Sequence, residues 1–238
     1  SAWSLGRGLM LAPAAFAAAQ IVAVLLADRV TYTAMRTPGV AALEVRRVRD
    51  YLPRALTTLT TLNGAALAVA LAWTTAVAGP DDLGRAGRAL TYPCAEGCDR
   101  TTISPWPGSF YSVPLAVGLG VVTLLALAAL VVTVRRPRNG ANSTIAAMDD
   151  AVRRRSVETV VAALGLAFSA TLAGIATFAG VRLLTDDGVP PGSSLTVGAT
   201  LLAIAGLCSL AVMLWCTVSL LRPTMPAAPA LDLAGQPA

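Results

Sequence analysis

Five long apolar stretches, none with a charged residue inside it, run Leu9 to Ala27, Leu56 to Ala78, Ser112 to Val134, Thr159 to Val181 and Leu195 to Leu221. About 30 Å of hydrocarbon takes roughly 20 apolar residues at 1.5 Å of rise each, so every stretch meets or approaches the length of a membrane span. Backbone groups in lipid must be satisfied within their own segment, and the weak ten-residue alternation of a barrel strand is absent. The expected fold is therefore an all-α integral membrane protein with five transmembrane helices.

Composition agrees. Hydrophobic residues make up 55% of the 238 residues and charged ones 13%, and the mean hydropathy is +0.68, far from a soluble domain of this size. All 18 basic residues are arginine, and histidine is absent. The arginine and alanine bias reads as the signature of a GC-rich bacterial genome, which places the chain in a bacterial plasma membrane.

The arginines fall into alternate connections. Arg29, Arg36, Arg46, Arg47, Arg49 and Arg54 lie between the first and second spans, and Arg135, Arg136, Arg138, Arg153, Arg154 and Arg155 between the third and fourth. The positive-inside rule makes both connections cytoplasmic. The amino terminus is then outside, the carboxyl terminus is cytoplasmic, and the 79–111 segment is an outer loop. A secretory leader beginning at Arg7 is the competing reading, but apolar sequence continues through Ile21 to Leu26 and suits an anchor better. The tail 223–238, rich in proline and small residues, is expected to be disordered.

An arginine-rich segment, a span, an outer loop and a span ending in Arg-Pro occur first over Arg46 to Pro137 and again over Arg153 to Pro223. This suggests a parallel repeat of two helical hairpins, with the first span outside the pair.

The spans carry few polar groups. Thr57, Thr61, Gly64, Ala68, Ala72 and Thr75 share one face of the second span and read as a packing seam, as do Ala170 and Gly174 in the fourth, because small residues let helices approach closely in lipid. Gln20, Thr60 and Asn63 need hydrogen-bond partners, and are expected to face one another across a helix interface. In the outer loop Cys94 and Cys98 enclose Ala-Glu-Gly, a ring that a disulfide would close in an oxidising compartment. A redox pair is the alternative, and two thiolates fall short of a zinc site. Tyr92, Trp106, Phe110 and Tyr111 read as aromatics at headgroup level. Cys208 and Cys216, about 12 Å apart by helical rise, read as buried packing residues.

Ala41, Val45, Val48 and Leu52 recur at helical spacing over Val40 to Leu52, which suits a helix on the inner leaflet. Arg46, Arg47 and Arg49 would then meet anionic headgroups. Together with Arg153, Arg154 and Arg155 they would alternatively dock a soluble cytoplasmic partner.

Several classes of chemistry have no residues to carry them. Without histidine there is no Ser-His-Asp arrangement and no usual haem or metal ligand, and neither a P-loop nor a dinucleotide fingerprint occurs. Proton relays need ionisable groups at depth. The pairs Asp81-Asp82, Asp149-Asp150 and Asp186-Asp187 read as solvated turn residues. No catalytic residue, cofactor or nucleic-acid partner is expected. The sequence points to a non-catalytic subunit or accessory that packs with itself or with another membrane protein through small-residue helix faces. The alternative is a transporter or exporter component for an apolar or amphipathic compound.

Overall fold

A computed structural model describes residues 6–35, 47–93, 101–136, 143–186 and 188–222. Helices dominate: α1 (Arg7–Met10), α2 (Ala12–Met35), α3 (Arg54–Ala76), α4 (Ser109–Arg135), α5 (Ser143–Ile175), α6 (Arg182–Leu184) and α7 (Ser194–Leu221). A π-helical segment, Ala176–Val181, joins α5 to α6 without a break. Two short strands, β1 (Leu90–Tyr92) and β2 (Thr101–Ile103), pair antiparallel.

Five helices are long and apolar enough to cross a membrane, as expected; the short strand pair is an addition to the all-α expectation. Two of the helices exceed their apolar cores. The first spanning stretch runs Ala12–Thr33 and takes in Asp28 and Arg29; the fourth runs Ala146–Leu184. Its 39 residues rise about 58 Å, nearly twice a hydrocarbon layer. Arg153, Arg154 and Arg155, expected in a connection, therefore lie on a helix that continues beyond the apolar core.

That helix is also the axis of the fold. Its apolar stretch is 61% buried in the molecule, against 22–33% for the other four, and α2, α3, α4 and α7 all pack on it. The sequence explains why. Val157, Val160, Val161, Ala162, Ala163, Ala167, Leu172 and Ile175 are buried all round it, and its small residues admit neighbours at short range. A Cβ on Gly165 would lie 2.6 Å from Thr60 Oγ1 and 2.7 Å from Cys216 Sγ, so α3, α5 and α7 converge where only glycine fits. Gly206 of α7 sits directly against Ala176 in the same way.

The two proposed hairpins do not pack alike. Among the described residues the contact between α5 and α7 is the most extensive, whereas α3 and α4 barely touch; a hydrogen bond of 2.7 Å joins Thr75 to Ser112. The inner-leaflet helix expected over Val40 to Leu52 is not formed where the chain is described. Val48–Asp50 is a single 3-10 turn after extended Arg47, and Pro53 then precedes α3, consistent with proline disfavouring helix in the residue before it.

Candidate functional site

At the arginine-rich end, charge is buried and paired. Arg153 is fully buried and donates through Nε and Nη2 to Asp149 Oδ2, at 3.1 and 2.8 Å. Its Nη1 reaches the carbonyls of Thr133, Val134 and Arg136 at 3.2, 2.9 and 2.7 Å. One guanidinium thereby satisfies the carbonyls that the end of α4 leaves without intrahelical partners, with its positive charge at the negative end of the helix dipole. Arg155 does the same for α7, donating to Ser219, Leu220 and Arg222.

Asp28 completes the cluster. Its carboxylate accepts from Ser156 Oγ at 2.6 Å and Thr133 Oγ1 at 3.0 Å. Arg136 binds Asp149 Oδ1 at 2.6 Å, donates to the Asp28 carbonyl and lies over the Tyr32 ring. Two carboxylates and two guanidiniums cancel, so α2, α4 and α5 are locked by a neutral network in which each buried charge has an opposite one. Tyr51 adds the 47–53 segment by donating to Asp150.

The opposite end is organised around Asp81, whose side chain is also buried. It accepts from the Leu83 and Arg85 backbone N–H groups and pairs with Arg85 and Arg88 at 2.7 and 3.0 Å. Burial acts to raise its pKa, but the Arg85 and Leu83 backbone donors and the Arg85 guanidinium together outweigh it, and the carboxyl is held below its ordinary value. Trp106 is buried in the protein, donating its indole N–H to the Thr74 carbonyl at 2.8 Å and packing edge-on to Trp73. Tyr92 lies beside Asp186 without good hydrogen-bond geometry; burial, and then that carboxylate, pushes its pKa up to about 12.

Two of the three expected solvated carboxylate pairs thus contribute a buried, ion-paired member, Asp81 and Asp149. A lone polar turn residue and a residue that clamps two arginines have the same local sequence. Only the third dimension separates them.

Between the two ends, Asn63 Nδ2 donates to Ser169 Oγ at 2.6 Å, joining α3 to α5. Thr60 is buried beside Gly165 and its hydroxyl has no hydrogen-bond partner among the described residues. Gln20 is not brought to either of them: it is half-buried on α2, which packs on α5 and α4 and makes no comparable contact with α3. The seam expected on α3 divides. Gly64 packs against Phe168, while Thr61, Ala68 and Ala72 are exposed and Leu56, Thr60, Asn63, Leu67, Ala70 and Thr74 form the buried face. Ala170 and Gly174 line a cavity of about 380 Å³, and a Cβ built on Gly174 would meet nothing within 4 Å.

Of the arginines expected at a lipid or protein surface, Arg47, Arg49 and Arg154 are exposed, Arg153 and Arg155 are engaged as described, and Arg46 lies outside the described residues. So do Cys94, Cys98 and the tail 223–238. Cys216 is buried as expected and Cys208 is exposed; both are free.

The cavity lies near the Asp81 end, where α1 and the start of α2 meet the 105–107 segment, the start of α4 and the far half of α5. Sequence reasoning missed it, because its walls are ordinary apolar residues from four separated segments. No known protein family, curated protein or solved structure matches this chain.

Proposed function

We propose that this chain is a non-catalytic subunit or accessory protein of a bacterial plasma membrane, with its arginine-rich end in the cytoplasm, and that it packs with itself or another membrane protein through one face of α2. The observation that carries this reading is Gln20. It sits in mid-span, half-buried, with no hydrogen bond among the described residues. An amide facing hydrocarbon without a partner is costly, and a neighbouring helix is the usual source of one. Beside it Ala15, Ala19, Ala23 and Ala27 are exposed one turn apart, so a second helix can come close enough for the amide to bond.

The charged groups support the same reading. Those buried at either end are engaged in ion pairs and helix caps, which holds the bundle together. Exposed Arg47, Arg49 and Arg154 meet anionic headgroups or a soluble cytoplasmic partner. A transporter or exporter component for an apolar compound is the second reading, and the apolar cavity is what favours it.

Native mass spectrometry from lipid nanodiscs tests the choice. A homo-oligomer or a stoichiometric partner is expected, shifting to monomer when Gln20→Leu is combined with Ala23→Leu. A monomer throughout, with solute flux by the chain alone in proteoliposomes, would overturn the subunit reading.

A further inference from the structure

Five exposed arginines, one on or at the end of each spanning helix, stand at one level of the bundle. Asp28 marks that level, since its carboxylate meets Thr133 of α4 and Ser156 of α5. Arg29 lies one residue from Asp28, Arg135 two from Thr133 and Arg154 two from Ser156, each about 3 Å or less along its helix. Arg155 donates to the carbonyls of Ser219, Leu220 and Arg222, which brings the end of α7 to the same place. Thr60 stands beside Gly165 and Asn63 bonds to Ser169, so α3 and α5 run parallel. Arg54 is then level with Thr159, about 5 Å from Ser156. The spread of the five along the bundle, roughly 8 Å, is the depth of one headgroup layer.

The carboxylates at this end are spent elsewhere. Asp28 and Asp149 serve Arg136 and Arg153, Asp150 accepts from Tyr51, and Glu158 and Asp50 lie beside Arg155 and Arg49. The guanidiniums of Arg29, Arg54, Arg135, Arg154 and Arg222 make no hydrogen bond or ion pair among the described residues. Because α2, α3, α4 and α7 all pack on α5, these charges are distributed round the bundle instead of gathered in one patch. On three of the helices an exposed apolar side chain lies one turn away on the same face: Leu26 before Arg29, Val131 before Arg135 and Val218 before Arg222. A cation beside an apolar wall, repeated round the circumference, fits anionic amphiphiles better than a single globular partner.

We propose that this end of the bundle holds a ring of anionic phospholipids, each phosphate accepting from one of the five arginines, with acyl chains lying along Leu26, Val131 and Val218. Arginine suits the role, because its donors form a fixed fork that matches phosphate oxygens and it keeps its charge. Near the surface each such residue favours an anionic lipid about fivefold, and salt screens the effect. The inference rests on the headgroup part of the reading above, and it holds whether or not α2 meets a second helix.

Native mass spectrometry of the full chain, released from nanodiscs of equal phosphatidylglycerol and phosphatidylcholine, tests it, with retained lipids read separately for each oligomeric state. The parent is expected to keep phosphatidylglycerol over phosphatidylcholine at least fivefold, and the ratio should fall as salt is raised. The combined variant R29Q/R54Q/R135Q/R154Q/R222Q should bring the ratio close to one, whereas lysine at the same five positions should keep most of the preference. Equal retention of the two lipids by the parent would overturn the proposal and leave the arginines to an acidic soluble partner; a ratio unchanged in the glutamine variant would overturn it too. Should that variant fail to fold, the five single glutamine variants decide: each should hold one phosphatidylglycerol fewer than the parent, and parental counts in all five would contradict the ring. Loss of oligomers with the lipid ratio intact would count against the α2 interface alone.

Discussion

Arg153 grips Asp149 one turn earlier on the same helix, through two nitrogens on a single carboxylate oxygen at 2.8 and 3.1 Å. The same guanidinium closes the end of α4 through three carbonyls. An i,i+4 pair that would contribute only tenths of a kcal/mol on an exposed helix is here the join between two spans.

Arg153→Met should therefore destabilise the protein by about 3–5 kcal/mol, because it leaves Asp149 and the α4 carbonyls buried with fewer partners. Pairing it with Asp149→Leu should recover part of that loss. Unfolding in mixed detergent measures both; a single variant within about 0.5 kcal/mol of the parent would contradict the assignment.

The Asn63–Ser169 bond should be worth less. Interhelical polar contacts in membranes average about 0.6 kcal/mol and reach about 1.7. A double-mutant cycle with Asn63→Leu and Ser169→Ala should return a coupling in that range, and a coupling near zero would mean that the two side chains do not meet.

Packing at Gly165 is steric. A side chain there meets Thr60 and Cys216, so Gly165→Val should cost about 1–3 kcal/mol, as overpacking does. Gly120, which has nothing within 4 Å of a Cβ, should accept valine with little change. Thermal unfolding of the two variants side by side makes the comparison.

Asp81 makes the 77–93 segment acid-sensitive. Its carboxyl is held below the ordinary value of 3.8, so its contribution is fully present above that value and is lost as pH falls through the lower folded value. Trp106 fluorescence should be steady from neutrality to about pH 4 and change below it, and Asp81→Asn should flatten the profile. A transition of the parent well above pH 5 would contradict this.

Much of the fold was legible because hydrocarbon imposes so few solutions. Charge-free runs of membrane length gave five helices, and the small residues of α5 gave close packing. The ends were misread for a physical reason: Asp28, Asp149 and Arg153 look like solvent-facing residues in one dimension, and burial became possible only once α2, α4 and α5 converged and neutralised one another. The burial of Trp106 has no sequence signal either, because the Thr74 carbonyl that its indole N–H meets lies 32 residues away. Pairing Gln20 with Thr60 and Asn63 assumed that consecutive spans are neighbours, whereas α5 stands between the two groups. The cavity had no signal at all, since Leu9, Trp106 and Thr171 are distant in the chain.

Orientation is the claim on which the proposed role depends, and single-cysteine accessibility tests it most directly. Arg47 and Leu83 are both exposed, at opposite ends of α3. In a variant without the native cysteines, a membrane-impermeant maleimide applied from outside should modify Leu83→Cys and leave Arg47→Cys unreacted until the membrane is permeabilised. Ready modification of Arg47→Cys from outside, with Leu83→Cys protected, would contradict the account.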